Sequence, residues 1–239
     1  MKQGKSLICR AVGMLLVVAF IGTILSGCSN NHINSSDPGN SALQSEGIDG
    51  KNYNGQPHNT YIPTVNDEGY IVITMPITLL GGNDAADLQS QHEALIADMN
   101  EDEIAQLAWT KLIANADGSV DYYFSPEQFE RTKETAYSSG QLIDSASKTY
   151  PMEFIKDAEY TKIDENGIPW ALTVMVDKDV YLSSELMNSF YVTVSPAIYI
   201  GMYQVLSGIS GDDWAVHITI KDNKSGDIIS ESDFPTKDK

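Results

Sequence analysis

After residue 68 the chain alternates between short strand-like runs and longer segments in which apolar residues recur every three or four positions. Short alternating or continuous apolar runs are typical of strands, and the longer period is typical of amphipathic helices. Strands are predicted over residues 70–75, 109–113, 119–124, 158–163, 170–176, 214–221 and 227–230. Helices are predicted over residues 85–99, 101–107, 126–149 and 179–206.

The turns between these strands predict three hairpins. Asp117-Gly118 and Asn166-Gly167 supply the positive backbone φ angles of tight hairpin turns, and a polar run at 222–226 separates the last two strands. Strands joined in this way run antiparallel. We therefore expect residues 69–235 to form one α+β domain, a mostly antiparallel sheet built from hairpins with helices packed on one face, followed by a loose tail over 236–239.

Two of the predicted helices begin with residues that can cap them. Asn100 is followed three residues later by Glu103, and Ser125 is followed by Pro126 and then by Gln128. A short polar side chain with Glu or Gln three residues on is the capping-box pattern, and proline favours the first helical position. These positions therefore predict where the second and third helices start.

Residues 28–68 are rich in Asn, Ser, Gly, Asp and Pro, and their few apolar residues follow no period. Such a stretch buries too little surface to offset the entropy of ordering, so it is predicted to be a flexible polar and acidic tether with a root-mean-square reach of about 35 Å. His32 and His58 lie in it and are expected to be solvated. Its candidates for packing onto the domain edge are Tyr53, Tyr61 and Ile62.

The first 27 residues have the pattern of a secretory signal. Lys2, Lys5 and Arg10 give a positive start without an acidic residue, and the apolar core follows from residue 11 to residue 25. A core of about fifteen residues fits a signal peptide better than a membrane span, which needs about twenty. The core ends in Leu25-Ser26-Gly27-Cys28, which is not the ordinary pattern of small residues around a signal cleavage site.

This tetrapeptide resembles the lipobox of bacterial lipoproteins, and the body is similar in style to lipoproteins of unknown function from bacteria of the Gram-positive type. The resemblance implies cleavage between Gly27 and Cys28, lipid chains of the palmitate kind on Cys28, and attachment to the extracytoplasmic face of the cell membrane. Two chains give stable anchoring, whereas one gives only marginal binding. A plain secretory signal and an uncleaved anchor are the alternatives.

The cysteine count and the net charge of the chain limit which classes of partner are expected. The two cysteines are Cys9, inside the leader, and Cys28, so the domain has no disulfide and depends on its own core. The formal net charge is −18, and residues 28–239, with twelve basic against thirty-three acidic residues, carry −21. This charge repels phosphate backbones and anionic bilayer surfaces, so nucleic acid is not an expected partner and the lipid on Cys28 is the expected membrane attachment.

No motif predicts a catalytic residue, a cofactor or a metal site. The run from Asn115 to Asp121 resembles a calcium loop, but in the register of an EF-hand Phe124 would replace the closing Glu. A hairpin turn explains the same residues, and it also explains the acidic runs at 164–166 and 222–227.

Three other positions have structural interpretations as well. Gly208 to Gly211 comes near to a nucleophile elbow, but Asp212 replaces the last glycine, so Gly208 is interpreted as a helix terminator. His92 falls within the apolar face of its helix and is expected to be partly buried with one hydrogen-bond partner. His217 alternates with apolar neighbours and is expected to be a satisfied or solvated histidine on a sheet face.

The longest predicted helix carries no charge between Glu185 and Asp212. Small residues recur there at every fourth position, namely Ser189, Thr193, Ala197 and Gly201. A helix that is apolar on most sides is usually buried, so we interpret it as the core helix, bent at Pro196. The alternative is a lipid or ligand groove beside its tyrosines, Tyr191, Tyr199 and Tyr203.

Anchor, tether and a domain without a catalytic motif together favour a non-enzymatic binding or interaction protein at the cell surface. One alternative is an extracytoplasmic hydrolase whose carboxylates converge only in the folded chain, with raised pKa values in a cleft. Another is a structural subunit of an envelope complex that docks through the uncharged helix, for which a large exposed apolar patch would be the sign.

Overall fold

The computed structural model of the chain describes residues 50–51, 57–80, 83–142 and 153–236. The strands are β1 (Gly50–Lys51), β2 (Pro57–His58), β3 (Ile71–Met75), β4 (Lys111–Ala114), β5 (Val120–Phe124), β6 (Ile155–Ile163), β7 (Pro169–Val176), β8 (Val216–Asp222) and β9 (Ile228–Phe234). The helices are α1 (Ala85–Ile96), α2 (Glu101–Ile104), α3 (Pro126–Gly140), α4 (Lys178–Ser183), α5 (Glu185–Ser189) and α6 (Ser195–Leu206).

The strands form two principal sheets and one short ribbon. β1 pairs with β2, the order β3-β5-β4 gives an antiparallel three-stranded sheet, and the order β6-β7-β8-β9 gives a four-stranded sheet. The expected α+β class is confirmed, and the pairs within it are antiparallel except for β7 and β8, which run parallel. A parallel pair needs a long crossover, and the helical segment 178–206 provides it.

The local signals read from the sequence match the structure. Gly118 and Gly167 have φ angles of +86° and +81° in the turns of their hairpins. The side chains of Asn100 and Ser125 each accept a hydrogen bond from the backbone N–H three residues on. In return, the side chains of Glu103 and Gln128 accept from the backbone N–H of Asn100 and Ser125. The third predicted helix ends at Gly140 instead of near residue 149, and residues 143–152 lie outside the described part of the chain.

The single long helix predicted over 179–206 is interrupted in the structure. Ser184 has φ −145° and ψ 51°, which separates α4 from α5, and a π-helical turn at Phe190–Val194 precedes α6. Two local causes act at this turn. Pro196 has no N–H to donate to the preceding turn, and the hydroxyl of Thr193 bonds to the carbonyl oxygen of Ser189 at 2.6 Å.

Helix α6 is the centre of the core, as the sequence predicted. It packs against α3, against β3 of the first sheet and against β7 and β8 of the second. Ala197 and Ile200 are fully buried. A Cβ added at Gly201 would lie 2.6 Å from Trp214 Cε3 and 2.7 Å from Leu79 Cδ2, so the small residues of this helix permit close packing. The helix therefore joins both sheets into one core.

Candidate functional site

The expected lipidation site cannot be placed in the fold. Gly27, Cys28 and the leader lie outside the described residues, so cleavage and lipidation there stay predictions. None of the helices in the described ranges has both the length and the apolar character that crossing a bilayer requires.

The acidic turns are occupied by their own hydrogen bonds. Asp117 Oδ1 accepts from the backbone N–H of Ser119 at 2.9 Å and from its hydroxyl at 2.7 Å, and Asn115 Nδ2 donates to Asp121 Oδ1 at 3.0 Å. This is the bonding of a hairpin turn, as the sequence indicated. No group of three or more His, Cys, Asp or Glu side chains within the described residues could hold a metal ion.

Two carboxylates of the described residues, Asp117 and Asp222, have pKa values that differ clearly from the ordinary value, and the direction does not favour acid catalysis. The hydroxyl and the N–H of Ser119 hold the pKa of Asp117 below its usual value, and the backbone N–H of Lys224 does the same for Asp222. A carboxylic acid that protonates a leaving group needs the opposite direction, as burial or a like charge would give it. Neither of these two carboxylates therefore has the electrostatics of the hydrolase alternative.

His92 and His217 take the structural places expected for them. His92 is buried and its Nε2 lies 3.1 Å from the carbonyl oxygen of Thr110. His217 Nδ1 lies 2.7 Å from Asp233 Oδ1 on the neighbouring strand, and its Nε2 lies 3.2 Å from the hydroxyl of Thr219. His92 therefore packs inside the domain, and His217 bonds to polar neighbours on the surface of the sheet.

The most unusual surface of the described chain is an exposed apolar face on α4 and α5. We define the apolar face as Val180, Leu182, Leu186 and Met187, whose exposed fractions range from 42% to 81%. Four large apolar side chains within eight residues are exposed to water. Clusters of this kind mark interaction sites more often than isolated exposed residues do.

Tyr181 and Asn188 attach the segment that carries the apolar face to the rest of the fold. Tyr181, between two members of the face, is buried, and its ring centroid lies 6.1 Å from that of Phe154. Asn188 Nδ2 donates to the carbonyl oxygen of Tyr181 at 2.8 Å, which ties α5 back onto α4. Because Tyr181 faces inward and successive residues of an α-helix are about 100° apart, Val180 and Leu182 lie on the two flanks of Tyr181, and both are exposed.

Negative charge borders the apolar face. Asp179 is almost fully exposed within α4, and Glu185 is exposed at the start of α5. Asp177 precedes α4, and Lys224 Nζ lies 3.5 Å from its carboxylate and 4.0 Å from that of Asp179, which joins this end of α4 to the turn between β8 and β9. Lys178 is also exposed here, so Glu185 is the acidic residue of the border that has no lysine beside it in sequence. Together with the strongly acidic body, this border gives the face a negative surrounding potential.

A second unusual region lies where residues 58–61, which we call the strap, pack against the domain. The backbone N–H of Tyr61 donates to the carbonyl oxygen of Gly208 at 2.7 Å, and the N–H of Ser210 donates to that of Asn59 at 2.9 Å. The hydroxyl of Tyr61 donates to the carbonyl oxygen of Val205 at 2.6 Å. Part of the predicted tether is therefore bound to the domain, and the expectation that Tyr61 packs there is confirmed.

The expectation that His58 is solvated is wrong. Its side chain is 6% exposed, and its ring centroid lies 4.9 Å from that of Trp170. Trp170 belongs to a small second apolar cluster with Ile168 and Ile209, and the strap covers this cluster. The composition of the surrounding stretch gave no sign of this, because the residues that surround His58, such as Trp170, are distant from it in the sequence.

Unsatisfied polar atoms concentrate at the strap. The buried side-chain nitrogens and oxygens without a hydrogen-bond partner, among the described residues, are both ring nitrogens of His58, the hydroxyl of Thr60 and the hydroxyl of Ser207. Buried polar groups are nearly always paired in folded proteins, and an unpaired one costs about 1–3 kcal/mol. The attachment of the strap is therefore weaker than its backbone bonds alone would suggest.

No protein-family model matches the chain, and neither the curated proteins nor the solved structures contain a match to it.

Proposed function

We propose that the protein is a lipoprotein held on the extracytoplasmic face of the cell membrane by lipid on Cys28, and that its domain is a non-enzymatic module that binds a partner protein through the apolar face. The observation that carries the binding role is the exposure of Val180, Leu182, Leu186 and Met187 within one short segment. The leader and the Leu25-Ser26-Gly27-Cys28 sequence support the anchor.

Burial of the apolar face can supply the driving force for binding. Withdrawing one Leu or Met side chain from water contributes about 1.5–3 kcal/mol. Leu186 and Met187 are the most useful pair, because they are adjacent and exposed by 81% and 53%. The α4–α5 segment is already fixed by Tyr181 and Asn188, so little ordering entropy is lost when a partner binds.

The partner is a cationic amphipathic segment of another protein. Its apolar side chains cover the apolar face, and its Lys or Arg side chains meet Asp179, Glu185 and the acidic body. Residues 28–239 carry a net charge of −21, which opposes the approach of a second copy and of an anionic bilayer. Charge complementarity of this kind accelerates encounter and selects the partner.

The anchor is tested by mass spectrometry of the protein isolated from the membranes of a bacterium that produces the full chain. We expect an N-terminal peptide that begins at Cys28 and carries acyl mass. Replacement of Cys28 by Ser should release the domain from the membrane fraction. An unmodified Cys28, or a retained leader on most of the protein, contradicts the anchor.

Binding is tested with the membrane-extracted full chain in zwitterionic nanodiscs. The probes are fluorescent helical peptides of Leu and Lys, either with segregated faces or with the same composition scrambled, and a segregated peptide of Leu and Glu. We expect only the segregated cationic peptide to bind tightly. Leu186→Ser with Met187→Ser should weaken it at least tenfold without changing any charge.

The matched control is Ile163→Ser, which removes an apolar side chain that is 50% exposed on β6, away from α4 and α5. It should bind like the unaltered protein. Equal binding of the scrambled peptide, or unchanged affinity in the Leu186 and Met187 variant, contradicts the proposed face. Equally tight binding of the peptide to empty nanodiscs would show that the signal comes from lipid, and it would also contradict the proposed face.

A structural subunit of an envelope complex is the second candidate, because the same exposed face would serve permanent docking. The two roles differ in how long the partner stays. A structural subunit co-purifies with its complex in constant ratio through high-salt washing, whereas the binding module is released when salt screens its charges.

A further inference from the structure

The docked position of His58 is unusual for an ionisable group. The ring is 6% exposed, packs on Trp170 and has no hydrogen-bond partner at either nitrogen. A neutral imidazole has one N–H and one lone pair, whereas a protonated imidazole has two N–H donors and a charge. Protonation in the docked position therefore adds a second unpaired donor and a buried charge.

Within the described part of the chain, the charged groups that act on His58 are the carboxylates of Asp164 and Asp213. Asp164 accepts from the N–H groups of Asn166 and Ile168 and lies 3.3 Å from Trp170 Nε1. Its bonds are therefore used within the turn between β6 and β7. The charge of Asp164 favours protonation of His58, but the carboxylate is not bonded to the ring.

Asp213 is likewise committed to another residue of the strap. Its Oδ2 accepts from both the backbone N–H and the side-chain Nδ2 of Asn59, each at 2.8 Å. Burial outweighs the attraction of the two carboxylates and lowers the pKa of His58 below its ordinary value of 6.5. The docked strap therefore prefers the neutral ring.

We propose that the strap is an acid-sensitive latch, in which protonation of His58 detaches residues 58–61 from the domain. Detachment breaks the bonds of Tyr61 to Gly208 and of Asn59 to Ser210, while the two sheets stay folded. Released, the ring gains water at both nitrogens. The inference does not depend on the partner proposed above.

The pH range follows from the direction of the pKa shift. Because the docked pKa lies below 6.5, docking is fully favoured above pH 6.5 and weakens as the pH falls below it. The loss continues until the pH reaches the docked pKa and then levels off. One proton is bound on release, so the ratio of docked to free strap changes by at most about tenfold per pH unit.

The latch would change the reach of the domain if the proposed anchor is correct. Residues 58–64 precede Val65, which pairs with Ile71, and a fully extended chain spans about 3.3–3.6 Å per residue. Freeing this stretch would add up to roughly 25 Å between the anchor and the domain. A failure of the lipid prediction leaves the latch itself intact.

The test is hydrogen exchange of the full chain in nanodiscs between pH 7.5 and pH 5, with each rate divided by the intrinsic rate at the same pH. We expect protection of the Tyr61 and Ser210 amides to fall at least fivefold over this range, while the amides of β7 and β8 stay protected. His58→Phe keeps a ring on Trp170 but cannot titrate, so its protection should not depend on pH. His217→Gln, on the other side of β8, should behave like the unaltered protein.

Two results overturn the latch. One is protection of Tyr61 and Ser210 that does not change with pH in the unaltered protein, or that changes equally in His58→Phe. The other is an NMR titration of the unaltered protein in which the His58 ring ionises at pH 6.5 or above. The second measurement decides the question even if His58→Phe does not fold.

Discussion

Gln204 and Ala215 exchange two hydrogen bonds between a side-chain amide and a peptide group. Gln204 Oε1 accepts from the N–H of Ala215 at 3.0 Å, and Nε2 donates to the carbonyl oxygen of Ala215 at 2.9 Å and to that of Pro169 at 2.7 Å. Pro169 begins β7, and Ala215 immediately precedes β8. The fully buried amide therefore fixes α6 to the start of the parallel pair.

Replacing Gln204 by Leu should destabilise the domain by about 3 kcal/mol. The apolar side chain has similar size, but it leaves the buried N–H of Ala215 and two carbonyl oxygens without their partner, and an unpaired buried group costs about 1–3 kcal/mol. Urea unfolding monitored by circular dichroism measures the change. Gln106→Leu, at an exposed position, is the control and should change stability by no more than about 0.5 kcal/mol. Equal effects of the two would contradict the role given to the amide.

Replacing Gly208 by Ala should loosen the strap. Gly208 has φ +97°, as the sequence-based interpretation of a helix terminator required, and an added Cβ would clash with the carbonyl oxygen of Tyr61. Gly226 has φ +77° with nothing within 4 Å of its Cβ position, so Gly226→Ala is a matched control. The control should lower the free energy of unfolding by about 1 kcal/mol through backbone strain alone. Gly208→Ala should lower it further and should also expose residues 58–61 to proteolysis. Similar cleavage of the two variants would argue against the contact.

Replacing Gly201 by Ala should destabilise the core by about 1–3 kcal/mol, although alanine favours helices. The added Cβ would lie within 2.7 Å of both Trp214 and Leu79, which must move apart. Thermal unfolding and tryptophan fluorescence, to which Trp214 contributes with two other tryptophans, report the change. Glu134→Ala, exposed on α3, should leave both signals nearly unaltered, and a stabilised Gly201→Ala would show that the core has room.

His92 should make global stability depend on pH. Burial lowers its pKa below 6.5, against the smaller opposing effects of the Thr110 carbonyl and of Glu93. The stability that its neutral form provides is complete above pH 6.5 and is lost as the pH falls below that value. His92→Gln should flatten this slope in urea unfolding between pH 7 and pH 5. An unchanged slope would mean that His92 is not protonated on unfolding in this range.

Local features of the fold were predictable because their causes are local. Asp117-Gly118 and Asn166-Gly167 fix their turns through the backbone freedom of glycine, and the Asn100 and Ser125 caps fix two helix starts. However, the order of the strands along the chain does not show which hairpins pair with each other to form a sheet. The separation into two sheets and the parallel pairing of β7 with β8 depend on how α6 packs, which no short stretch encodes.

The candidate site was predictable only in part. The uncharged stretch after Glu185 was interpreted as a core helix, with a lipid or ligand groove as the alternative and a docking surface as a third possible use, and the core interpretation holds for α6. Leu186 and Met187 are exposed just after the break at Ser184, and across this break Asn188 bonds back to Tyr181, a contact that the sequence pattern does not indicate. His58 was misjudged because a polar, proline-containing neighbourhood predicts solvation, whereas its burial depends on Trp170.

The strap has a consequence for the order of folding during synthesis. Residues 58–61 emerge from the ribosome before the rest of the domain, yet their partners lie at Val205, Gly208, Ser210 and Asp213. Nascent chains elongate from the N-terminus, so the earliest of these segments to be made is among the last that can dock. Trp170 is made before these partners, so it has no cover until nearly the whole domain has been translated, and this interval is when a chaperone would find it.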